Sequence, residues 1–306
     1  MLPSLSGPTQ QYLSDLQNLN SEMTTVTRQL SSGLRVSSVA DDPSAVEGIM
    51  MDQAQITQLQ QTQTNLNNLK PEMDSGDSAL QQAMQNVETA IQIASQSSSP
   101  LSNPFSNAQL VIQVQGILQN LVNLSGTSVN GRYIFSGDLD QQALYTLDPT
   151  QPTGVRQLAT ANATRSVTDS HGVQIWLGKT ASEIFDHQNP NGTPATDNVF
   201  AAVNSLLTAL QANNSSAAVA SIANLKAAND HLNQEVGYYG IGQARVNDNL
   251  TTISTALTSV RTDMSSLRDA DMATAAVQLQ ELSVQQQAAL SSRAKIGALS
   301  LFNFLA

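Results

Sequence analysis

Between Val246 and Leu267, apolar residues recur at alternating steps of four and three: Val246, Leu250, Ile253, Leu257, Val260, Met264 and Leu267. That spacing puts all seven on one stripe of an α-helix and makes a three-heptad coiled-coil seam. A strand cannot carry this period, and water cannot cover the stripe. The chain must therefore provide helices that pair. Leu13, Leu16, Leu19, Met23, Val26 and Leu30 step by three and four near the N-terminus. Ile49, Ile56, Leu59, Leu66, Leu69 and Met73 continue with the same period. The pattern meets Pro71, where a kink is expected, and resumes at Leu80, Met84, Val87 and Ile91. Turn residues from Ser97 to Pro104 end it. Further helices are expected from about Asn107 to Leu124, Val199 to Leu210 and Val219 to Val236, with a last one running towards Phe304.

The middle of the chain is different. From about Arg132 to Phe185 the helical period disappears, and short β-branched or aromatic runs stand between Gly, Pro, Asp and Asn. Aromatics are only 4% of the 306 residues, yet Tyr133, Phe135, Tyr145, Trp176 and Phe185 fall there, with Phe105 just before. Elsewhere their scarcity points to thin cores of paired helices. The expected fold is mainly α with a small β-rich domain: an elongated helical rod whose N- and C-terminal helices pair as a coiled coil. Residues 1–40 would form a terminal coiled-coil segment with 268–306. Residues 41–131 would form a rod with the return 199–267, and 132–198 the β-rich outer domain.

Two joints carry paired acids. In the first, Gly33 suits the left-handed residue that ends one helix. Pro43 suits the first position of the next, which makes Asp42 its N-cap. Asp271, beside Asp269 in LRDADM (Leu267–Met272), reads as the cap of the last helix. A catalytic or metal-binding pair would need more carboxylates or histidines nearby, and only Glu47 is close to Asp41-Asp42. The histidines His171, His187 and His231 are too scattered in sequence for a ligand set, and solvated or capping roles suit them better. WLGKTAS (Trp176–Ser182) ends like a phosphate-binding loop, but Gly172 is one residue too far back, and the intervening residues read as a strand. No catalytic residue, cofactor or metal is expected.

The chain has no cysteine, which excludes disulfides and thiolate chemistry. Its net charge of −11 argues against nucleic acid and anionic membrane as partners. No apolar run approaches the ~18 residues of a membrane span. The sequence begins without the basic and apolar regions of a secretory signal peptide.

Leu30–Val36 (LSSGLRV) followed by Asp41-Asp42-Pro43 resembles the N-terminal signature of bacterial flagellins and their relatives at the hook–filament junction. Ser266–Ala273 (SLRDADMA) resembles the matching C-terminal signature. Asp-Asp-Pro, the element Asn130–Gly137 (NGRYIFSG) and the ending Leu299–Leu305 are most similar to the junction members, whereas Leu30-Ser-Ser-Gly is flagellin-like. The resemblance implies a structural, non-enzymatic protein of the bacterial flagellum acting as a hook–filament adaptor; the alternative is a short flagellin that polymerises into the filament. It also implies export by the flagellar type III apparatus without a cleaved signal, an export chaperone and an extracellular site. Partners would be a hook-side hook-associated protein, flagellin and further copies in a ring or helical array. Subunit packing would fall to Leu13, Leu16, Leu19, Met23, Val26 and Leu30 with Leu290, Ile296, Leu299, Leu301, Phe302 and Phe304.

Overall fold

A computed structural model describes residues 7–97, 104–163, 166–168, 174–176 and 178–302. The elements are helices α1 (Gly7–Ser32), α2 (Pro43–Gln96) and α3 (Pro104–Ser125), strands β1 (Ser128–Val129), β2 (Arg132–Tyr133), β3 (Tyr145–Leu147), β4 (Val155–Gln157), β5 (Ser166–Thr168) and β6 (Gln174–Trp176), and helices α4 (Ala181–Ile184), α5 (Val199–Gln211), α6 (Ser215–Arg268) and α7 (Met272–Phe302). The chain is thus mainly α. Its strands form three antiparallel two-stranded sheets, β1-β2, β3-β4 and β5-β6. The chain divides into two compact units, Met1–Gln58 with Thr255–Ala306, and Leu59–Ser254. Helices α2 and α6 contribute to both.

In the larger unit, α2 buries Leu59, Leu66, Met73, Leu80, Val87 and Ala94, each seven residues after the last. Helix α6 does the same with Leu225, Leu232, Tyr239, Val246 and Ile253. The seam read from Val246 onward therefore starts three heptads earlier. Tyr239, Glu235 and Gly242 disguise it, because none of them is an aliphatic residue. The helices run antiparallel, with Lys70 Nζ donating to Asn247 Oδ1 at 2.9 Å and Gln243 Nε2 to Asp74 Oδ1 at 3.1 Å. A tyrosine fits this seam because Gly76 faces it; a Cβ there would lie 2.5 Å from the Tyr239 ring. The expected kink at Pro71 does not divide α2. Pro71 and Asn67, whose carbonyl loses its partner, are both exposed, so water can serve that carbonyl.

The region expected to be β-rich has strands of only two or three residues. The GRYIFSG element pairs at Arg132–Tyr133 alone, on a two-residue turn in which Asn130 and Gly131 both have positive φ. An aromatic chain holds this region instead. Phe135 packs edge-on against Phe185 (5.8 Å between centroids) and Tyr239 (6.0 Å), and Phe200 bridges Phe185 and Tyr145. Phe200 comes from α5 and Tyr239 from α6, so helices complete a core begun by loops.

In the smaller unit, Ala45, Ile56, Leu257, Val260 and Met264 are buried. A Cβ on Gly48 would lie 2.9 Å from Leu267 Cδ1, which marks close helix contact. Helices α1 and α7 pack on each other, and among the described residues three are buried in that contact, Val26, Ala275 and Leu282, edged by Leu19, Met23, Leu30 and Leu279.

Candidate functional site

The two joints meet. Gly33 adopts φ +72° and donates its N–H to Gln29 O, ending α1. Its own carbonyl accepts from Ala270 N at 2.9 Å, while Arg35 N and Val36 N donate to Arg268 O at 2.7 and 3.1 Å. Leu34 and Asp269 form an antiparallel bridge between them. A Cβ on Gly33 would meet nothing within 4 Å, so the glycine is there for its backbone angle and not for space. The Arg35 guanidinium then staples the joint, donating to Leu267 O at 2.5 Å and to Asp42 Oδ2 at 2.8 Å.

Each acid in the joints is occupied by local donors. Asp42 Oδ1 accepts from the N–H groups of Ser44 and Ala45, both at 3.2 Å, and from Ser44 Oγ at 2.6 Å, the geometry of an N-cap before Pro43. Asp41 Oδ2 accepts from Ser37 N, Ser37 Oγ and Ser38 N, and its Oδ1 pairs with Arg28 at 2.8 Å. Asp271 accepts from Ala273 N, Thr274 N and Thr274 Oγ1 at the start of α7. Asp269 takes Ser265 Oγ and Arg268 Nε. Hydrogen bonds from Ser37 hold the Asp41 carboxyl down at about 2, and those from Ser44 and Arg35 do the same for Asp42. Hydrogen bonds from Thr274 depress Asp271, and those from Ser265 and Arg268 depress Asp269. Groups held this firmly in the ionised state are poor proton donors and have few lone pairs to spare. They fix backbone.

The sequence-selected packing residues divide between cover and exposure. On α1, Val26 is buried, Leu16, Leu19, Met23 and Leu30 are half-buried, and Leu13 is exposed. On α7, Leu290 is exposed, and the residues that cover α1 are Ala275, Leu279 and Leu282. Their four-then-three spacing was the available signal, weakened by an alanine in the first place. Ile296, Leu299, Leu301 and Phe302 lie on α7 with side chains outside the described part, and Phe304 lies outside the described residues. The pair is antiparallel, with Gln286 Nε2 donating to Asn20 Oδ1 at 2.8 Å and Arg293 to Thr9 Oγ1 at 3.1 Å, the guanidinium also lying over Tyr12.

The histidines are less scattered than their positions suggest. His187 and His231 stack at 5.5 Å, and Asp197 contacts His187 Nδ1 at 2.8 Å and His231 Nδ1 at 3.8 Å. His171 lies outside the described residues. Among the described residues no group of three or more such side chains is arranged to hold a metal ion. Lys179, the lysine of the loop-like WLGKTAS, is committed to buried Glu235 at 2.6 Å, and Thr180 caps α4. Neither is free for a phosphate. No described helix is long and apolar enough to cross a membrane.

Fold and joint together define a helical protein whose two chain ends form one unit, locked by backbone pairing and capped acids. Residues 4–140 match the family model of the bacterial flagellin N-terminal helical region, and residues 222–305 match that of the C-terminal helical region. The chain belongs to the bacterial flagellin family. It is 28% identical over 210 residues to flagellar hook-associated protein 3 of Salmonella typhimurium, and 27% identical to that of Escherichia coli. Each match covers 66% of this chain and spans 64% of the relative's length. The fold is similar to that of the flagellar junction protein FlgL from Legionella pneumophila, with a TM-score of 0.55 at 12% identity, covering 74% of this chain and all of the other.

Proposed function

We propose that the chain is a structural, non-enzymatic subunit of the bacterial flagellum that acts as an adaptor at the hook–filament junction. The observation that carries this reading is the joint. It brings together LSSGLRV and LRDADM, the two segments most like the family's signatures, so that α1 ends and α7 begins at one fixed point. The relatives named hook-associated protein 3 favour the junction over the filament. In this reading residues 1–40 and 268–306 form the terminal coiled coil, 41–131 and 199–267 the rod, and 132–198 the outer domain. Helices α1 and α7 leave Leu13, Val277, Val284 and Leu290 exposed, a surface that neighbouring subunits in a ring or helical array would bury. The partners are a hook-side hook-associated protein below and flagellin above, with an export chaperone before assembly. Export runs through the flagellar type III apparatus without signal cleavage, and the working site is extracellular.

Deleting the gene tests this. The expected strain keeps its hooks, sheds unpolymerised flagellin into the medium and carries no filaments. If it exports no other filament subunit, or if purified protein grows long filaments when seeded, the chain is itself a flagellin.

A further inference from the structure

The two stacked histidines hold their protons at opposite nitrogens. His231 Nε2 lies 3.0 Å from Glu183 O, and a carbonyl oxygen only accepts. In the neutral ring the proton therefore sits on Nε2, and Nδ1 keeps a bare lone pair. That lone pair faces Asp197 Oδ2 at 3.8 Å, so two electron-rich atoms oppose each other. His187 is the reverse case, for its Nδ1 lies 2.8 Å from Asp197 Oδ1 and donates to it. Asp197 thus has one oxygen served by a donor and one turned towards a lone pair.

A proton changes this. Protonated His231 Nδ1 becomes a cationic donor within ion-pair reach of Oδ2, and a small side-chain rotation closes the hydrogen bond. The His231 side chain is 13% exposed, which limits screening of the pair by water. One proton also balances the site, one cation against one carboxylate. A second, on His187, would put two cationic rings 5.5 Å apart.

The neighbouring charges are committed or stand outward. Glu183 Oε2 accepts from Thr180 N and Thr180 Oγ1, and Asp186 accepts from Asn198 Nδ2 and Gln188 Nε2. Glu235, one turn along α6, is paired with Lys179, while Lys226 and Asp230 occupy exposed positions. Helix α5 carries no charged side chain.

What the proton fastens follows from where these residues lie. His231 is on α6, and Asp197 immediately precedes Asn198, whose Oδ1 caps α5 by accepting from Ala201 N at 2.8 Å. Asn198 Nδ2 reaches back to His187 O at 2.9 Å. We propose that His231 and Asp197 form a one-proton latch, in which protonation of Nδ1 ties α6 to the start of α5 and its loss releases the tie. The latch goes beyond the junction reading and does not depend on it. Burial pushes the Asp186 carboxyl up, so acid favours the same segment there as well, and the test has to separate the two groups.

In the native chain at about pH 8, above histidine's ordinary range, long-range nitrogen–proton NMR correlations should show His231 protonated on Nε2 and His187 on Nδ1. Between about pH 8 and about pH 5.5, amide protection at Val199 and Ala201 should rise about two- to fivefold after correction for intrinsic exchange. His231→Gln keeps a donor for Glu183 O but cannot take up the proton, so it should lose most of the rise. Asp197→Asn keeps an acceptor for His187 and offers an amide donor to the bare lone pair. Its protection should already be high at the alkaline end and change little on acidification. A proton on His231 Nδ1 at the alkaline end, or native protection that stays flat or falls in acid, overturns the latch. So does a full rise in His231→Gln, which assigns the response to Asp186 instead.

Discussion

The two units build helix pairs from the same kind of amphipathic sequence and finish them differently. The larger unit encloses Phe135, Phe185 and Phe200 completely, and its long helices bury a residue at every heptad. Among the described residues, the terminal pair has three buried residues, none larger than leucine, while Met272, Val277, Val284 and Leu290 stand 47–60% exposed on α7. Most of a helix's stability in a protein comes from covering its apolar face. The larger unit covers the heptad stripes of α2 and α6 with its own side chains. Over its described part, the terminal pair leaves more of its apolar surface open.

The contrast can be broken at its strongest point first. Phe135→Ala removes edge contacts to both Phe185 and Tyr239 and opens a hole that fixed aromatic neighbours cannot fill. The expected loss is about 3–5 kcal/mol of the larger unit's stability in denaturant titration. A loss below about 1 kcal/mol would mean that the aromatic chain is not the core. Leu282→Ala should cost less, about 2 kcal/mol, because a thin pair can close up around the missing atoms. Its effect should appear as lost helical signal and faster amide exchange in α1 and α7, with the larger unit unchanged. Simultaneous melting of both would show that the units do not unfold separately.

Much of this division was legible in the sequence, for physical reasons that differ by element. The helices were visible because apolar period is a one-dimensional property, and the joints because Gly33 and Pro43 each have strong backbone preferences. The first half of the α6 seam was not, since Tyr239 works as a heptad residue only where Gly76 yields space. The core of the middle region was half legible. Phe135, Tyr145 and Phe185 stood out, but Phe200 and Tyr239 reside on helices far along the chain, and proximity of that kind leaves no periodic trace. The pairing of the joints was hidden for a related reason. It is made by the backbone of Gly33, Arg35, Val36, Arg268 and Ala270, and backbone donors look the same at every position. The stack of His187 on His231 has no local signal at all.

The smallest effect offers the sharpest test of the comparison, because acid should move the two units in opposite directions. At the joints, Asp41 and Asp42 titrate at about 2 in the folded chain against an ordinary 3.8. Their stabilisation is fully present above the ordinary value and is lost as pH falls from there through the folded one. Asp269 and Asp271 are lowered as well and act in the same sense. In the larger unit, burial pushes Asp186 up, and Asn198 Nδ2, donating at 2.8 Å, only partly offsets this. Its penalty is absent below the ordinary value and grows as pH rises from there through the folded one, so acid relieves it. Between about pH 5 and about pH 3, amide protection at Ala45, Ala273 and Thr274 should fall after correction for intrinsic exchange. Protection at Val199 and Ala201, next to Asn198, should hold or rise over the same interval. Asp42→Asn keeps a capping oxygen but cannot titrate, so it should flatten the acid response at Ala45 while leaving Val199 unaffected. Flat protection at the joint amides in the native chain would show that ionised carboxylates do not hold the joint, and the terminal unit would then owe its fixed start to the Gly33–Ala270 backbone pairing alone.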